Sequence, residues 1–304
     1  MDAARPSLAP RVDDDGPPRD LALTFAGGGN RSFFQLGVMR RWSERVMPRV
    51  VAAAGVSAGA CMLTVMVSGR ESIAEVFFRA RRAGVSRNID WTALLRREPL
   101  APHGSVYRDT VLFTYADGGF ERIKQCPFPI YVLAAEIPPP LVPTLGAAVG
   151  FAAYQLEKRL KPGLVHPSYG RRIGYRPFIF DARDCTDPED LADLILASSS
   201  TPPFTPIGRF RGKALVDGGV IDNVPAFVAE QVPAVRRNLV VMTRPYPAER
   251  LGRHGQRLYL APSDHPPAGC WDYRRGADIF GNLALGERDA DAHEDALESF
   301  LADS

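Results

Sequence analysis

Short apolar runs alternate with longer amphipathic stretches along most of this 304-residue chain. Apolar runs of about four to eight residues that are bounded by glycine, proline or polar residues are typical of buried strands, whereas apolar positions spaced three or four residues apart are typical of helices. The apolar runs predict strands at residues 21–26, 50–54, 129–135, 174–180, 213–216, 239–243 and 258–261.

Helices are predicted between these strands. Asp187 is a favourable N-cap and Pro188 a favourable first helical residue, so a helix should begin there and run to Ala197. Other helices are predicted at residues 32–45, 60–67 and 70–100, in a helical or loop stretch at 107–120, after Pro225, and over most of the chain from Trp271. This alternation predicts an α/β fold with a mixed or mainly parallel sheet flanked by helices.

The first twenty residues differ from the rest of the chain. They contain four prolines and an acidic run but no apolar cluster, which predicts a disordered leader at residues 1–20 rather than a secretory signal. Residues 21–304 are long enough to bury a full core and are predicted to form a single domain, of which residues 271–304 are mostly helical.

Charge and cysteine content narrow the functional classes. The formal net charge of +2 gives no overall attraction to nucleic acid, so no nucleic-acid partner is expected. The four cysteines show neither metal-ligand spacing nor a disulfide pattern, which favours a reducing compartment and no bound metal. The expected location is therefore the cytoplasm.

The longest apolar run lies at residues 141–156 and is followed by Glu157, Lys158 and Arg159. It is shorter than the roughly 18 apolar residues that span a bilayer, and it is too apolar for an ordinary exposed helix. Two interpretations remain, a buried helix and a lid that contacts lipid. The sequence favours burial slightly and leaves peripheral membrane contact through residues 141–161 open.

A G-x-S-x-G pentapeptide at residues 55–59 stands between a predicted strand and a predicted helix. In this context the flanking Gly55 and Gly59 allow a tight turn that exposes the hydroxyl of Ser57 at the start of the helix. The pentapeptide alone is a weak signal, because a glycine turn between a strand and a helix is the ordinary alternative. Ser57 is the candidate nucleophile.

A second glycine loop, Gly27-Gly28-Gly29-Asn30-Arg31, follows the first predicted strand. Successive glycines leave backbone N–H groups uncovered, which suits either a phosphate or an oxyanion. The loop matches neither G-x-G-x-x-G nor a G-K-[ST] motif, so a nucleotide site is a poor fit. Ser57 follows the next strand, so the glycine loop and the Ser57 turn should lie side by side. A nucleophile next to uncovered N–H groups indicates acyl transfer.

A serine nucleophile needs a base. If the order of an α/β-hydrolase applied, that base would be His254, His265 or His293, although none of them follows a clean strand end. A carboxylate is the alternative, and two D-G-G tripeptides supply candidates at Asp117 and Asp217. Asp217 is preferred because it follows a predicted strand, whereas Asp117 does not.

The three motifs together resemble the patatin-like phospholipases, whose family pattern is a G-G-G-x-R-G loop, a G-x-S-x-G turn, and D-G-G/A followed by N-x-P. Here they are residues 27–31, residues 55–59, and residues 217–219 with Asn223 and Pro225, and the resemblance extends over about residues 21–245. It implies a three-layer α/β/α sandwich that hydrolyses acyl esters of lipids such as (lyso)phospholipids, with no metal or other cofactor.

The resemblance also implies a Ser–Asp dyad without histidine. Carried over by position, Ser57 is the nucleophile, Asp217 is the base, and the oxyanion hole is formed by Gly28, Gly29 and Asn30. The supporting residues would be Arg31, Gly55, Gly59, Gly218 and Gly219.

One position departs from the family pattern. Ser32 stands where the family loop ends in glycine. Two interpretations remain: its side chain narrows the oxyanion hole or twists the start of the helix, or Ser32 is a tolerated N-cap of that helix. Two other functions stay open, namely an esterase or thioesterase acting on small soluble acyl substrates, and a catalytically inactive interaction protein with the same fold.

Overall fold

A nine-stranded sheet organises the protein in a computed structural model that describes residues 17–96 and 98–302. Its strands are β1 (Leu21–Phe25), β2 (Val50–Val56), β3 (Ile130–Glu136), β4 (Arg176–Asp181), β5 (Gly208–Phe210), β6 (Lys213–Asp217), β7 (Arg237–Val241), β8 (Gly252–His254) and β9 (Arg257–Leu260). The α-helices of these ranges are α1 (Phe33–Val46), α2 (Ala58–Val67), α3 (Glu71–Arg82), α4 (Ala93–Arg96), α5 (His103–Tyr115), α6 (Gly119–Lys124), α7 (Pro143–Leu160), α8 (Tyr169–Arg172), α9 (Pro188–Ser198), α10 (Ala226–Ala229), α11 (Ile279–Ala292) and α12 (Glu294–Ala302).

The middle of the sheet is parallel. The strand order is β5-β6-β3-β2-β1-β7-β9-β8, and the neighbours from β3 to β9 all pair in parallel. Antiparallel pairs extend the sheet at both sides, and β4 also pairs with β3. The predicted fold class, an α/β fold with a mainly parallel sheet, is confirmed.

The two faces of the sheet bury different side chains, as the period of two in a strand requires. Along β1, Leu21, Leu23 and Phe25 enter a large core, whereas Ala22 enters a smaller one. The large core takes side chains from α1, α2, α3, α5, α6, α9, α11 and α12, and the smaller core takes side chains from α7 and α10. The result is a three-layer α/β/α sandwich.

Strands β2 and β6 meet end to end along one edge of β3. Strand β4 occupies the other edge over residues 131–136, while β2 pairs with residues 130–133 and β6 with residues 134–136. Strand β2 is parallel to β3 and β6 is antiparallel, so their carboxyl ends converge. Val56 is in register with Leu133, and Asp217 with the next residue, Ala134.

All the predicted strands are present, but two short antiparallel strands, β5 and β8, were not predicted. Each has only three residues, which is too short for an alternating pattern to show. The continuous helix expected over residues 70–100 is wrong, because α3 and α4 are separated by a loop. The segment from Trp271 is mostly helical, as predicted, through α11 and α12, although residues 271–278 are not helical.

The predicted helix cap at Asp187 is confirmed, since its side chain accepts a hydrogen bond from the N–H of Asp190 at 2.8 Å. The capping interpretation of Ser32 is wrong. Ser32 precedes α1 but has helical backbone angles and makes no capping hydrogen bond. Its hydroxyl is buried and has no protein partner among the described residues.

Residues 1–16 of the predicted leader lie outside the described residues. At the end of the leader, the Asp20 carboxylate forms an ion pair with Arg237, the first residue of β7, at 2.9 Å. The division into a leader and one domain remains a prediction. None of the helices in residues 17–96 and 98–302 is long and apolar enough to cross a membrane.

Candidate active site

Ser57 lies in the sharp turn between β2 and α2, with φ of 55° and ψ of −134°. A positive φ is uncommon for a residue that carries a side chain, so the surrounding structure must hold it. The Ser57 N–H donates to Ser198 Oγ at 2.8 Å, and the Ser198 hydroxyl donates to the carbonyl oxygen of Leu133 at 2.6 Å. Ser198 therefore ties the turn to β3.

The two glycines of the pentapeptide are required by close backbone contacts. A Cβ atom on Gly59 would lie only 2.6 Å from the carbonyl oxygen of Phe25 in β1. A Cβ atom on Gly55 would lie 2.6 Å from the Cα atom of Ala60, at the start of α2. The helix can pack this tightly against the strands only where no side chain intervenes.

Asp217 ends β6 and faces Ser57 across the point where the two strands meet. Burial raises the pKa of its carboxyl group to about 6, against the opposing effect of the neighbouring Ser57 hydroxyl, the Gly219 N–H and the Thr201 hydroxyl. The Gly219 N–H donates to Oδ1 at 2.7 Å, and the Thr201 hydroxyl donates to Oδ2 at 3.4 Å. Gly218 and Gly219 form the 3-10 turn that allows the first of these bonds.

The glycine loop after β1 is held at its first residue, Gly27. The Gly27 carbonyl oxygen accepts hydrogen bonds from Thr243 Oγ1 at 2.7 Å and from Asn223 Nδ2 at 3.0 Å. In return, the Gly27 N–H donates to the carbonyl oxygen of Asn223 at 3.0 Å. The asparagine of the N-x-P motif thus fixes the loop beside the turn that carries Asp217.

The three predicted oxyanion-hole residues are not equivalent. The Asn30 N–H donates to the carbonyl oxygen of Cys270 at 3.0 Å, and its side chain donates to the carbonyl oxygen of Asp272 at 2.8 Å. Within the described residues, the N–H groups of Gly28 and Gly29 have no such acceptor. These two residues line the same pocket as Ser57.

Two pockets open on Ser57. One is a narrow, largely apolar pocket lined by residues that include Phe33, Met62, Val65 and Phe78. The other is polar, has a volume of about 180 Å³, and is lined by the residues Gly28, Gly29, Arg31, Phe151, Tyr154, Lys158, Thr201, Asp217, Asn223 and Arg244, among others. Ser57 therefore borders both an apolar pocket and a polar pocket that contains cationic side chains.

Helix α7 forms one wall of the polar pocket. It is neither a fully buried helix nor a fully exposed one, so it does not decide between the two interpretations of the apolar run, a buried helix and a lid that contacts lipid. Its inner side buries Gly146, Ala147 and Gly150. Its outer side exposes large apolar side chains, with exposed fractions of 51% for Leu145 and 52% for Leu156. Val149 and Leu160 are also exposed on this helix.

The alternative bases lie elsewhere. His254, His265 and His293 are exposed, and none of them lines either pocket that contains Ser57. Asp117 is also exposed and pairs with Arg70 at 3.0 Å. His103, which the α/β-hydrolase order excludes as the base, lines the apolar pocket, and burial lowers the pKa of its imidazole.

Sequence reasoning missed two residues that contact Ser57 and Asp217, namely Ser198 and Thr201. Both belong to the serine-rich run at the end of α9, so the composition of that run was the available signal. Nothing in the sequence shows that one hydroxyl would reach the backbone of Ser57 and the other the carboxylate of Asp217, because both contacts join segments that are distant in sequence or in different elements.

A sequence model of the patatin-like phospholipase family matches residues 23–230. This range includes all three motifs, and with them Ser57 and Asp217. The chain belongs to the patatin-like phospholipase family. Membership supports lipid acyl hydrolase activity in the broad sense and a role in lipid metabolism. No curated protein has a sequence that matches this chain.

Two solved structures resemble this patatin-like chain. VipD from Legionella pneumophila has a TM-score of 0.45 and 10% sequence identity, with 93% of this chain and 68% of that chain covered. Human GIVD cytosolic phospholipase A2 has a TM-score of 0.44 and 12% identity, with 93% of this chain covered. This chain covers 63% of the human protein, less than two thirds of its length.

Proposed function

We propose that the protein hydrolyses carboxylic esters of phospholipids or lysophospholipids through a Ser57–Asp217 dyad and an acyl-enzyme intermediate. The observation that carries this proposal is the meeting of β2 and β6, which brings Ser57 and the Asp217 carboxyl group into one pocket, where burial raises the pKa of that carboxyl group to about 6. A free aspartate, with a pKa near 3.9, is a weak base at neutral pH, and this shift makes Asp217 a better one.

In the proposed reaction, Asp217 takes the hydroxyl proton of Ser57 as Oγ attacks the ester carbonyl carbon. The tetrahedral intermediate collapses by breaking the bond to the alcohol oxygen, which receives the proton from Asp217 and leaves. Water then attacks the acyl-serine, again giving its proton to Asp217, and the fatty acid departs as Ser57 recovers its proton. Each half-reaction returns the dyad to its starting protonation.

The negative charge of the intermediate needs preorganised donors. The N–H groups of Gly28 and Gly29 are the proposed donors, and Ala58, the first residue of α2, adds a backbone N–H at the positive end of the helix. Asn30 is proposed to hold the loop through its bonds to Cys270 and Asp272 rather than to donate its N–H. Arg31 borders the same loop.

The surroundings of Ser57 support a lipid as the substrate. The apolar pocket offers a place for an acyl chain, and burying each methylene group there contributes about 0.8 kcal/mol. The outer side of α7 supports contact with a lipid surface, because its exposed side chains Leu145, Val149, Leu156 and Leu160 form a stripe at helical spacing. We propose that this stripe enters the membrane interface as a peripheral contact.

The decisive experiment compares purified wild-type protein with Ser57→Ala on mixed phospholipids and on p-nitrophenyl butyrate. Release of fatty acid and lysophospholipid by the wild type alone is expected. A fluorophosphonate probe should label the wild type and not the folded variant. Turnover of the small ester without lipid hydrolysis would favour a soluble-substrate esterase, and no turnover or labelling would favour an inactive interaction protein.

The membrane contact is tested separately by sedimentation with phospholipid vesicles. Leu145→Asp with Leu156→Asp should weaken vesicle binding, because both charges would enter the interface. The matched control is Val76→Asp, another exposed apolar position on a helix, with an exposed fraction of 69%. Equal binding by the folded α7 variant and the control would contradict the membrane contact.

A further inference from the structure

Three cationic side chains line the polar pocket next to Ser57. Arg31, Lys158 and Arg244 come from the glycine loop, from α7 and from the segment after β7, and all three are half-buried. None of them forms an ion pair with a carboxylate in residues 17–96 and 98–302. Asp217 lies in the same pocket, but its oxygens already accept hydrogen bonds from Gly219 and Thr201.

Two other partly buried cations do have carboxylate partners. Arg257 pairs with Glu230 at 2.6 Å, and Arg183 pairs with Asp181 at 2.7 Å. In the pocket, by contrast, the pKa of Lys158 is lowered by burial and then by the charges of Arg244 and Arg31. Positive charge is thus concentrated there in excess of the carboxylate of Asp217, which is the electrostatic setting of an anion site.

The pocket cations are held in place by neutral groups. Arg244 Nε donates to Tyr246 Oη at 3.1 Å, and its guanidinium lies 4.3 Å from the centre of that ring. The Lys158 ammonium lies 5.2 Å from the centre of the Tyr154 ring. These contacts orient the two cations without neutralising them, so their charge remains available to a ligand.

We propose that Lys158 and Arg244, together with Arg31, bind the phosphate of the substrate and select head groups with a net negative charge over choline head groups. This inference rests on the proposed function and names the substrate class of the same site. Guanidinium and ammonium groups are strong phosphate donors. Phosphatidylglycerol and its lyso form carry this charge.

The aromatic residues of the pocket give the reason for disfavouring choline. A quaternary ammonium is recognised by open aromatic faces or by carboxylates. Among the residues that the structure describes, three aromatic side chains line the pocket, namely Phe151, Tyr154 and Trp271. Tyr154 already carries Lys158, and Trp271 stacks on Phe204 with ring centres 4.8 Å apart. Phe151 alone does not form a cage. A choline group placed here would meet like charges instead of a cage.

The test uses monomeric short-chain lipids, so that surface charge on a vesicle plays no part. Values of kcat/KM are measured for dihexanoyl phosphatidylglycerol, dihexanoyl phosphatidylcholine and p-nitrophenyl butyrate with wild type, Lys158→Gln and Arg244→Gln. Each variant should lose about ten- to hundredfold on phosphatidylglycerol relative to the phosphate-free ester, as expected for one charged hydrogen bond. Arg159→Gln, an exposed cation on the same helix outside the pocket, is the matched control.

A second arm measures binding without turnover. Calorimetry of Ser57→Ala with dihexanoyl phosphatidylglycerol, glycerol 1-phosphate and inorganic phosphate distinguishes a lipid head group from free phosphate. Binding of the lipid that weakens in Ser57→Ala with Lys158→Gln supports the inference. Equal kcat/KM ratios or equal binding in the pocket variants and the control would overturn it. If no ester is hydrolysed at all, the proposed function fails while the binding arm still decides the inference.

Discussion

Replacing Asp217 by Asn should lower activity and raise stability, because the burial of this carboxylate affects both properties. The amide cannot accept the serine proton, so turnover should fall by about 10²- to 10⁴-fold, the usual contribution of a general base. The amide is also uncharged, and at pH 7 a carboxyl group with a pKa of about 6 is about nine-tenths ionised in a site that disfavours its charge. The variant should therefore be less active and more stable.

The size of the stability gain follows from the pKa. Moving the pKa of a carboxyl group from 3.8 to about 6 corresponds to about 3 kcal/mol against the charged form. Because the Asp217 side chain is only half-buried, solvent screening reduces this figure, and we expect about 1–2 kcal/mol.

The direction of the pKa shift sets the pH range over which Asp217→Asn changes the stability of the protein. The folded protein binds the proton of Asp217 more tightly than the unfolded chain does, so this group begins to destabilise the fold once the pH exceeds its pKa in the unfolded chain, 3.8. Below about pH 4 the carboxyl is protonated in both states, and the advantage of Asp217→Asn should vanish. The advantage should grow between about pH 4 and 6 and stay constant above. Over the same range, wild-type kcat/KM should rise with an apparent pKa near 6.

The assays are denaturant unfolding and hydrolysis of one ester substrate from pH 4 to 8. Asp117→Asn is the matched control, since it makes the same chemical change at an exposed carboxylate in the other D-G-G tripeptide. His254→Ala, His265→Ala and His293→Ala should keep most of their activity. An active Asp217→Asn together with an inactive histidine variant would refute the dyad, and a less stable Asp217→Asn at pH 7 would refute the assignment of the raised pKa.

Three further predictions concern the neighbours of the proposed dyad and the proposal that the reaction needs no metal. Thr201→Val should raise the pKa of Asp217, because it removes a hydrogen-bond donor to the carboxylate. The acid limb of the pH–rate profile should therefore move to higher pH. An unmoved limb would show that the hydrogen bond of 3.4 Å is unimportant. Ser32→Ala should raise the melting temperature, because the buried Ser32 hydroxyl has no protein partner among the described residues. Its removal should stabilise the fold by about 1 kcal/mol, which thermal unfolding measures. A lower melting temperature would point to a bound water. Activity should persist in strong chelators, and loss that calcium restores would contradict the metal-free mechanism.

Local chemistry within short segments made much of this protein predictable. The strand–turn–helix context around Ser57 follows from an apolar run, two glycines and a small-residue helix, all within about twenty residues of the sequence. The cap at Asp187 depends on residues one helical turn apart. The core strands were found because a parallel sheet that is buried on both faces leaves continuous apolar runs.

The end-to-end meeting of β2 and β6 on β3 was decided by the tertiary structure. It brings Asp217 to Ser57 across a separation of 160 residues in the chain, and it raises the pKa of the carboxyl group by burial. No short-range pattern encodes such a meeting, because it depends on which edge of β3 each strand occupies. The resemblance to a family could name Asp217, but only the fold shows why it suits the role.

The sequence by itself determined the elements, the two glycine corners and the candidate nucleophile, because each depends on neighbouring residues. The tertiary structure decided which donors of the glycine loop remain free, which side of α7 faces solvent, and that Arg31, Lys158 and Arg244 share one pocket. These properties depend on long-range packing: a side chain's burial, partners and electrostatic surroundings are set by segments distant in sequence, and those segments come together only when the chain folds.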